Sequence, residues 1–303
     1  MRIIKYIIPI KYNNEKISTF LKDRGYSSKN LTVMRRTEGA IVLNGCKVYM
    51  NRLLQDGDDL RISIPEEKKS EKIVPVNLPI DIVYEDEDII VVNKPPFMPI
   101  HPSLNNYENT LANALAYYYK KKYPENNFVF RCINRLDRDT SGLTIIAKHM
   151  VSASILHQQV IDDVIKRTYY AIVEEKEGEA IKDEGVIDLP IGRQNDSSIT
   201  RCVDMENGQR AVTHYKVLSR GGGWAFVELH LETGRTHQIR VHMTAIGHPL
   251  LGDFLYNPSD NRLKRQALHA GELEFNHPIT GEKMQFKAGV YDDMRGILTS
   301  IYV

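Results

Sequence analysis

Residues 66–72 read Glu-Glu-Lys-Lys-Ser-Glu-Lys, a run with no apolar side chain and with different composition on either side. Such a stretch cannot contribute to a core and behaves as a charged linker. A chain of 303 residues is also longer than the usual single domain. The sequence therefore predicts a small unit over 1–66, a linker over 67–78 and a large unit over 79–303. Charge is divided unevenly between them. Residues 1–66 hold twelve Lys/Arg against seven Asp/Glu, a net of +5 in a chain whose total is +1, so the remainder carries −4. That asymmetry marks the N-terminal unit as an electrostatic contact for phosphates.

Composition excludes several classes. A hydrophobic content of 42% suits an ordinary core. No apolar run approaches the roughly 20 residues of a membrane helix, and the charged opening is too short for a secretion signal, so a cytoplasmic protein is expected; a monomer is expected as well. Cys46, Cys132 and Cys202 are widely spaced and odd in number, which suggests neither a disulfide framework nor a Cys-x-x-Cys metal site. His237, His242 and His248 lack a matching carboxylate or cysteine ligand set, and no Gly-rich phosphate loop precedes a helix. No metal and no cofactor are expected.

In the small unit, Ile17 to Gly25 and Leu31 to Arg36 have helical spacing. A strand, an Asn44-Gly45 turn and a second strand follow over residues 40–48, and a further strand ends at Ile64. In the large unit, Ile82 to Tyr84 and Ile89 to Val92 flank an acidic turn as a hairpin that Lys94-Pro95-Pro96 stops. Helices are expected over 110–123 and 151–165, and strands over 142–147, 169–173 and 224–231, with short strand-like runs between 185 and 215. Hairpins mixed with separated helices argue for an α+β domain.

The run Asn134-Arg135-Leu136-Asp137-Arg138-Asp139-Thr140-Ser141-Gly142 sets Asp137 between two arginines and ends in turn-forming residues. A carboxylate beside guanidinium groups stays ionised and suits a nucleophile or a proton acceptor. Read alone, the same run is equally a surface turn whose Asp, Thr and Ser side chains bond nearby backbone.

A second segment changes the balance: Thr233-Gly234-Arg235-Thr236-His237-Gln238-Ile239-Arg240-Val241-His242. Together with Arg135 to Gly142 it resembles the RluA/RluD branch of the RNA pseudouridine synthases. Asn93-Lys94-Pro95-Pro96, Tyr169-Tyr170-Ala171, Gly247 to Asp253 and Arg265 to Ala270 fall in the same order, so the likeness spans residues 80–288. It implies a largely antiparallel mixed sheet with an active cleft across its middle. Asp137 would then be the catalytic aspartate, as nucleophile or as base. Arg240 would pair with it through two hydrogen bonds, with Arg235 the alternative partner, and Tyr169 would stack on the target uracil. Tyr170 would point to the other face. Arg135, Arg138, Arg235 and His237 would contact RNA, with Arg135 filling the gap left by the extruded base. Asn134 stands where close relatives usually carry His, and it is expected to keep an RNA contact by hydrogen bonding. The small unit is similar to the alpha-L RNA-binding module, with Ser28-Lys29 in place of the usual Ser-Arg. Lys29, Arg35 and Arg36 would be its phosphate contacts. The resulting expectation is an isomerase acting on large-subunit ribosomal RNA. A transfer-RNA substrate, or a non-catalytic RNA-binding factor on the same fold, are the alternatives.

Overall fold

The computed structural model describes residues 2–65, 73–104, 106–125, 127–176, 178–194 and 199–299. The small unit runs β1 (Arg2–Ile7), α1 (Ile17–Asp23), α2 (Ser28–Arg36), β2 (Ile41–Leu43), β3 (Cys46–Lys47) and β4 (Asp59–Ile64). Its sheet has the order β1-β4-β2-β3. Asn44 and Gly45 both take positive φ, 51° and 79°, which a two-residue turn between twisted strands requires. Ser27 starts α2 through a reciprocal cap: its Oγ accepts from the Asn30 amide at 3.2 Å, and Asn30 Oδ1 accepts from the Ser27 amide at 3.0 Å. β1 was not among the sequence expectations, and its first isoleucines supply the edge strand that pairs with β4.

The large unit comprises β5 (Asp81–Glu85), β6 (Ile89–Lys94), α3 (Leu111–Lys122), β7 (Ser141–Ala147), α4 (Met150–Ile161), β8 (Lys166–Glu174), β9 (Glu184–Asp188), β10 (Ile191–Arg193), β11 (Arg201–Val203), β12 (Val212–Gly221), β13 (Trp224–Leu231), α5 (Gln238–Ala245), β14 (Leu268–Asn276), β15 (Lys283–Lys287) and α6 (Asp292–Thr299). Its main sheet has the order β5-β6-β7-β14-β8-β13-β12-β9, with β15 on β14. Among the described residues β7 and β14 pair in parallel and the other pairs are antiparallel, so the unit is α+β with a mixed, mostly antiparallel sheet. β10 and β11 form a separate two-stranded sheet.

The central strand β7 is buried along its whole length, because α4 covers one face and α3 the other. Gly142 at its start has φ 116°, and a Cβ there would collide with the backbone of Ala270. The close β7–β14 approach thus depends on that glycine. α4 stops at Ile161, four residues before the sequence spacing suggested. Asp163 takes a left-handed conformation, and Ile165 turns inward to become part of the core.

Residues 66–72, which include the first half of the expected linker, lie outside the described residues. Residues 73–78 belong to the large unit rather than to a linker. Val76 N–H donates to the Asn113 carbonyl, Asn113 Nδ2 donates to the Val74 carbonyl, and Ile73 and Leu78 pack beside α3. The small unit sits against α4. Val151 is fully buried among the small unit's core residues, Ser154 Oγ donates to the Gly25 carbonyl, and Arg2 grips Asp88 through Nε at 2.8 Å and Nη2 at 3.0 Å. His149 contacts the same Asp88 carboxylate at 2.8 Å.

At the end of β5, Glu85 accepts hydrogen bonds from Lys122, Tyr118 and Lys148. Burial alone would raise its pKa, but these donors outweigh it and hold the carboxyl at about 2, against 4.5 unperturbed. A carboxylate depressed in the folded state stabilises above its unfolded pKa and loses that contribution as pH falls. The melting temperature should therefore fall between pH 4.5 and about 2 in the native chain. In Glu85→Gln that fall should be shallower, as measured by thermal denaturation across this range.

Candidate active site

The parallel β7–β14 pair places the 134–140 loop at the centre of the main sheet, beside Tyr169 on β8 and the start of α5. Asp137 lies on this loop with its side chain 29% exposed. Its Oδ2 accepts from Arg240 Nη1 at 3.3 Å and stands 3.9 Å from His237 Nε2. Arg135, Leu136, Tyr169 and Leu268 complete a pocket of about 60 Å³ around it. This pocket opens into a basic cleft of about 840 Å³ that shares Arg135, Asp137 and Arg235 with it.

Arg240 is the most constrained group here. It is 3% exposed and sits on α5, a helix in which residues 238–243 are all buried. The expected two-bond pairing with Asp137 is corrected: Arg240 makes that pairing with Asp253. Nε donates to Asp253 Oδ2 at 2.6 Å and Nη2 to Oδ1 at 2.7 Å, which leaves a single Nη1 bond for Asp137. Asp253 is fully buried and also accepts from the amides of Leu255 and Tyr256. Burial opposes the charge on Arg240, and the Asp253 pair more than offsets it, so its pKa is raised. The Tyr256 ring lies 5.0 Å from the guanidinium, and the Tyr256 hydroxyl is 2.9 Å from His237 Nδ1. His237 adopts a left-handed backbone, φ 59°, at the cap of α5. Burial, partly countered by Asp137, lowers its pKa and favours the neutral ring.

Gln238 fastens the turn that leads into α5. Its Oε1 accepts from the Arg235 amide and Thr233 Oγ1, while its Nε2 donates to the Val212 carbonyl and Thr213 Oγ1. Arg235 itself is exposed, and its Nε donates to the Arg210 carbonyl. It lines the pocket without bonding Asp137. Arg138 is held by Asp139 through two bonds of 2.8 Å. Tyr169 is 5% exposed and lines the pocket, whereas Tyr170 stacks on Phe226 and donates to Glu272 on the other face.

Asn134, expected to contact RNA, is 3% exposed; Nδ2 donates to the Leu143 carbonyl and Oδ1 accepts from the Ile145 amide, so the side chain laces the loop to β7 at the wall of the cleft. His242 and His248 are engaged inside the fold with Thr213, Leu189 and Glu174, and His237 alone of the three reaches Asp137. Asp86, Asp88 and His277 bring ligand-type atoms within 4.8 Å of one another, but these groups are already bonded to each other, to Arg2 and to His149.

Two buried cations support the loop from behind, and sequence reading assigned them no role. Lys94 Nζ donates to the carbonyls of Pro95, Met98 and Arg138. Burial draws its pKa down to about 7 against the opposing pull of Asp139. Arg265 is fully buried, pairs twice with Asp293 of α6 and donates through Nη1 to the Asp139 carbonyl at 3.2 Å. Asp253, Lys94 and Arg265 all stand in the ordered blocks of the sequence, and that was the one available signal for them.

Because Asp253 holds both remaining edges of the Arg240 fork, Asp253→Asn should misplace the Asp137 contact and lower kcat by ~10²-fold, with KM changed much less. An uncompensated buried guanidinium costs about 3–5 kcal/mol, so melting should be followed alongside single-turnover kinetics. A kcat within twofold of native in a folded Asp253→Asn would contradict this role.

Comparison with known proteins agrees with this geometry. Residues 88–245 match the family described as RNA pseudouridylate synthase. The chain is 39% identical over 282 residues to "Uncharacterized RNA pseudouridine synthase YjbO" of Bacillus subtilis, covering 93% of this chain and 98% of that one. It is 42% identical over 236 residues to "Ribosomal large subunit pseudouridine synthase D" of Zymomonas mobilis, covering 73% and 72%. Among solved structures it is similar to human RNA pseudouridylate synthase domain containing 1, with a TM-score of 0.58, 25% identity, and coverage of 74% of this chain and 94% of that one. With a mixed sheet and a central Asp-bearing loop in common with the expected architecture, the chain belongs to the RNA pseudouridine synthases, in their RluA/RluD branch.

Proposed function

We propose that Asp137 is the catalytic aspartate of this isomerase, that Arg240 orients it and that Tyr169 faces the target base. The observation that carries the reading is the half-buried Asp137 carboxylate 3.3 Å from a guanidinium that is itself locked in place. Conversion of uridine to pseudouridine breaks the bond from ribose C1′ to N1, turns the base, joins C5 to C1′, releases the C5 proton and leaves a proton on N1. No redox step occurs. A carboxylate can attack C1′ or accept a ribose proton, and Arg240 holds the one on Asp137 in place for either role. The aromatic side of the pocket gives the detached uracil a surface on which to turn without escaping.

A uridine in structured RNA must leave its stack first, at a cost of a few kcal/mol. Arg135 is exposed at the pocket mouth and would occupy the gap, while Arg138, Arg235 and His237 would hold flanking groups. The small unit, with its +5 excess, would add phosphate contacts through Lys29, Arg35 and Arg36, all exposed on α2. We take the substrate to be large-subunit ribosomal RNA. Relatives from Zymomonas mobilis and Neisseria meningitidis carry that substrate in their names, and the latter aligns over 90% of this chain. The same reading makes the enzyme a cytoplasmic monomer; its three cysteines are unpaired and no helix among the described residues is long and apolar enough to cross a membrane.

Asp137→Asn keeps the side-chain volume and removes the charge. Tritium release from RNA labelled at uridine C5 should vanish in this variant, while its RNA affinity stays within about threefold of native. Near-native release would exclude Asp137. Pseudouridine mapping of ribosomal and transfer RNA, from cells with and without the protein, distinguishes the two substrate classes.

A further inference from the structure

The docking of the small unit creates a groove outside the active cleft. One wall is α2, through Ser27, Lys29, Asn30 and Val33; the other is the face of α4 that repeats at Met150, Ser154, His157 and Ile161. Arg131, Cys132 and Ile133, which lead directly into the 134–140 loop, form its floor. Its open volume is about 670 Å³. It shares Cys132, Ile133, His157 and Ile161 with the cleft at Asp137, so the two hollows are continuous along α4, a helix ~18 Å long.

Charge and surface character both point to one occupant. Among the described residues no carboxylate lines the α2–α4 groove. The cleft beyond it has Asp137, Asp163 and Glu232 on its walls, but Asp137 pairs with Arg240, Asp163 with Lys166, and Glu232 with Arg210 and His214. The net field along the path is therefore positive, set by Lys29, Arg135, Arg167 and Arg235. At the junction, the C-terminal end of α4 exposes two aliphatic side chains, Val160 at 38% and Ile161 at 70%. A basic track bordered by exposed apolar side chains suits an unpaired polynucleotide, whose phosphates meet the cations while its bases lie on the apolar ridge. A duplex buries its base faces and has no use for the ridge. Arg35 lies elsewhere, in a separate hollow with Thr37, Glu38, Lys47 and Tyr49 that shares no residue with the groove.

We propose that the α2–α4 groove is a second binding site for single-stranded RNA, which takes the strand flanking the nucleotide held at Asp137. The proposal rests on the catalytic reading above, since it assigns the far end of the strand to that pocket. The small unit is then one wall of the substrate channel, held in position by the Arg2–Asp88 grip and the buried Val151.

The test compares fluorescein-labelled oligouridylates of about 6 and about 16 nucleotides, the span over which such sites operate. In the native protein the longer probe should bind roughly tenfold more tightly than the shorter. In Lys29→Glu and in Ile161→Glu, both exposed substitutions, that ratio should collapse to within about twofold, while Lys283→Glu, the same charge change on β15, should retain it. The proposal is overturned by a native ratio near one, by a ratio that survives in Lys29→Glu and Ile161→Glu, or by an equal collapse in Lys283→Glu. The Asp137→Asn protein should show the native ratio, so loss of the groove and failure of the catalytic assignment give different results: the first changes the ratio, the second leaves tritium release intact.

Discussion

The buried ion pair between Arg240 and Asp253 is the contact on which the rest of the site depends. Taking both charges out of water is costly, and the cost is recovered only because the fork geometry is complete and Asp253 accepts two further amide bonds. The outcome is a guanidinium that cannot swing. Its one remaining edge faces Asp137, so the position of the Asp137 carboxylate is set by a residue that itself has no freedom. An arrangement in which Arg240 bonded Asp137 twice would hold the carboxylate more tightly, but would leave it with fewer free lone pairs for chemistry. The observed division gives rigidity to the arginine and accessibility to the aspartate.

The backbone of the loop is held in a similar way. Lys94 at the end of β6 and Arg265 just before β14 reach the loop from beneath and donate to successive carbonyls, those of Arg138 and Asp139. Asn134 laces the other end of the loop to β7. Two cations from outside the loop and Asn134 within it thus fix these seven residues. The parallel β7–β14 pair, which Gly142 alone permits, brings those strands together. Through Asp293 the support extends to α6 near the C-terminus, so the loop is coupled to a segment distant in sequence.

Much of this was legible from sequence where local pattern and burial agree. The Asn44-Gly45 hairpin, the β5–β6 hairpin, α3 and the strand at β7 all follow from turn chemistry and apolar spacing. α5 did not. Ile239, Val241 and Met243 alternate with polar residues and imitate a strand, because a helix buried on every side shows no amphipathic period. Arg240 on such a pattern looks like a charge on a strand surface, whereas it is almost inaccessible. Asp253 could not be found by spacing, since its partner lies thirteen residues away across a turn and only the folded chain joins them. Asn134 reads as a contact because it is a polar residue within a functional motif, and what sequence does not show is that its side chain is bonded to β7.

The central claim, that Arg240 and Asp253 act as one unit to position Asp137, is tested most directly by a double-mutant cycle on single-turnover rates. Arg240→Lys, Asp253→Asn and the double variant would be compared with native protein, each verified as folded by circular dichroism. Two residues that act as a unit lose function together, so the double variant should be no more than about threefold slower than the slower single variant. Losses that multiply, giving a double variant slower by the product of the two single effects, would show that Arg240 and Asp253 contribute independently and would contradict this account of the site.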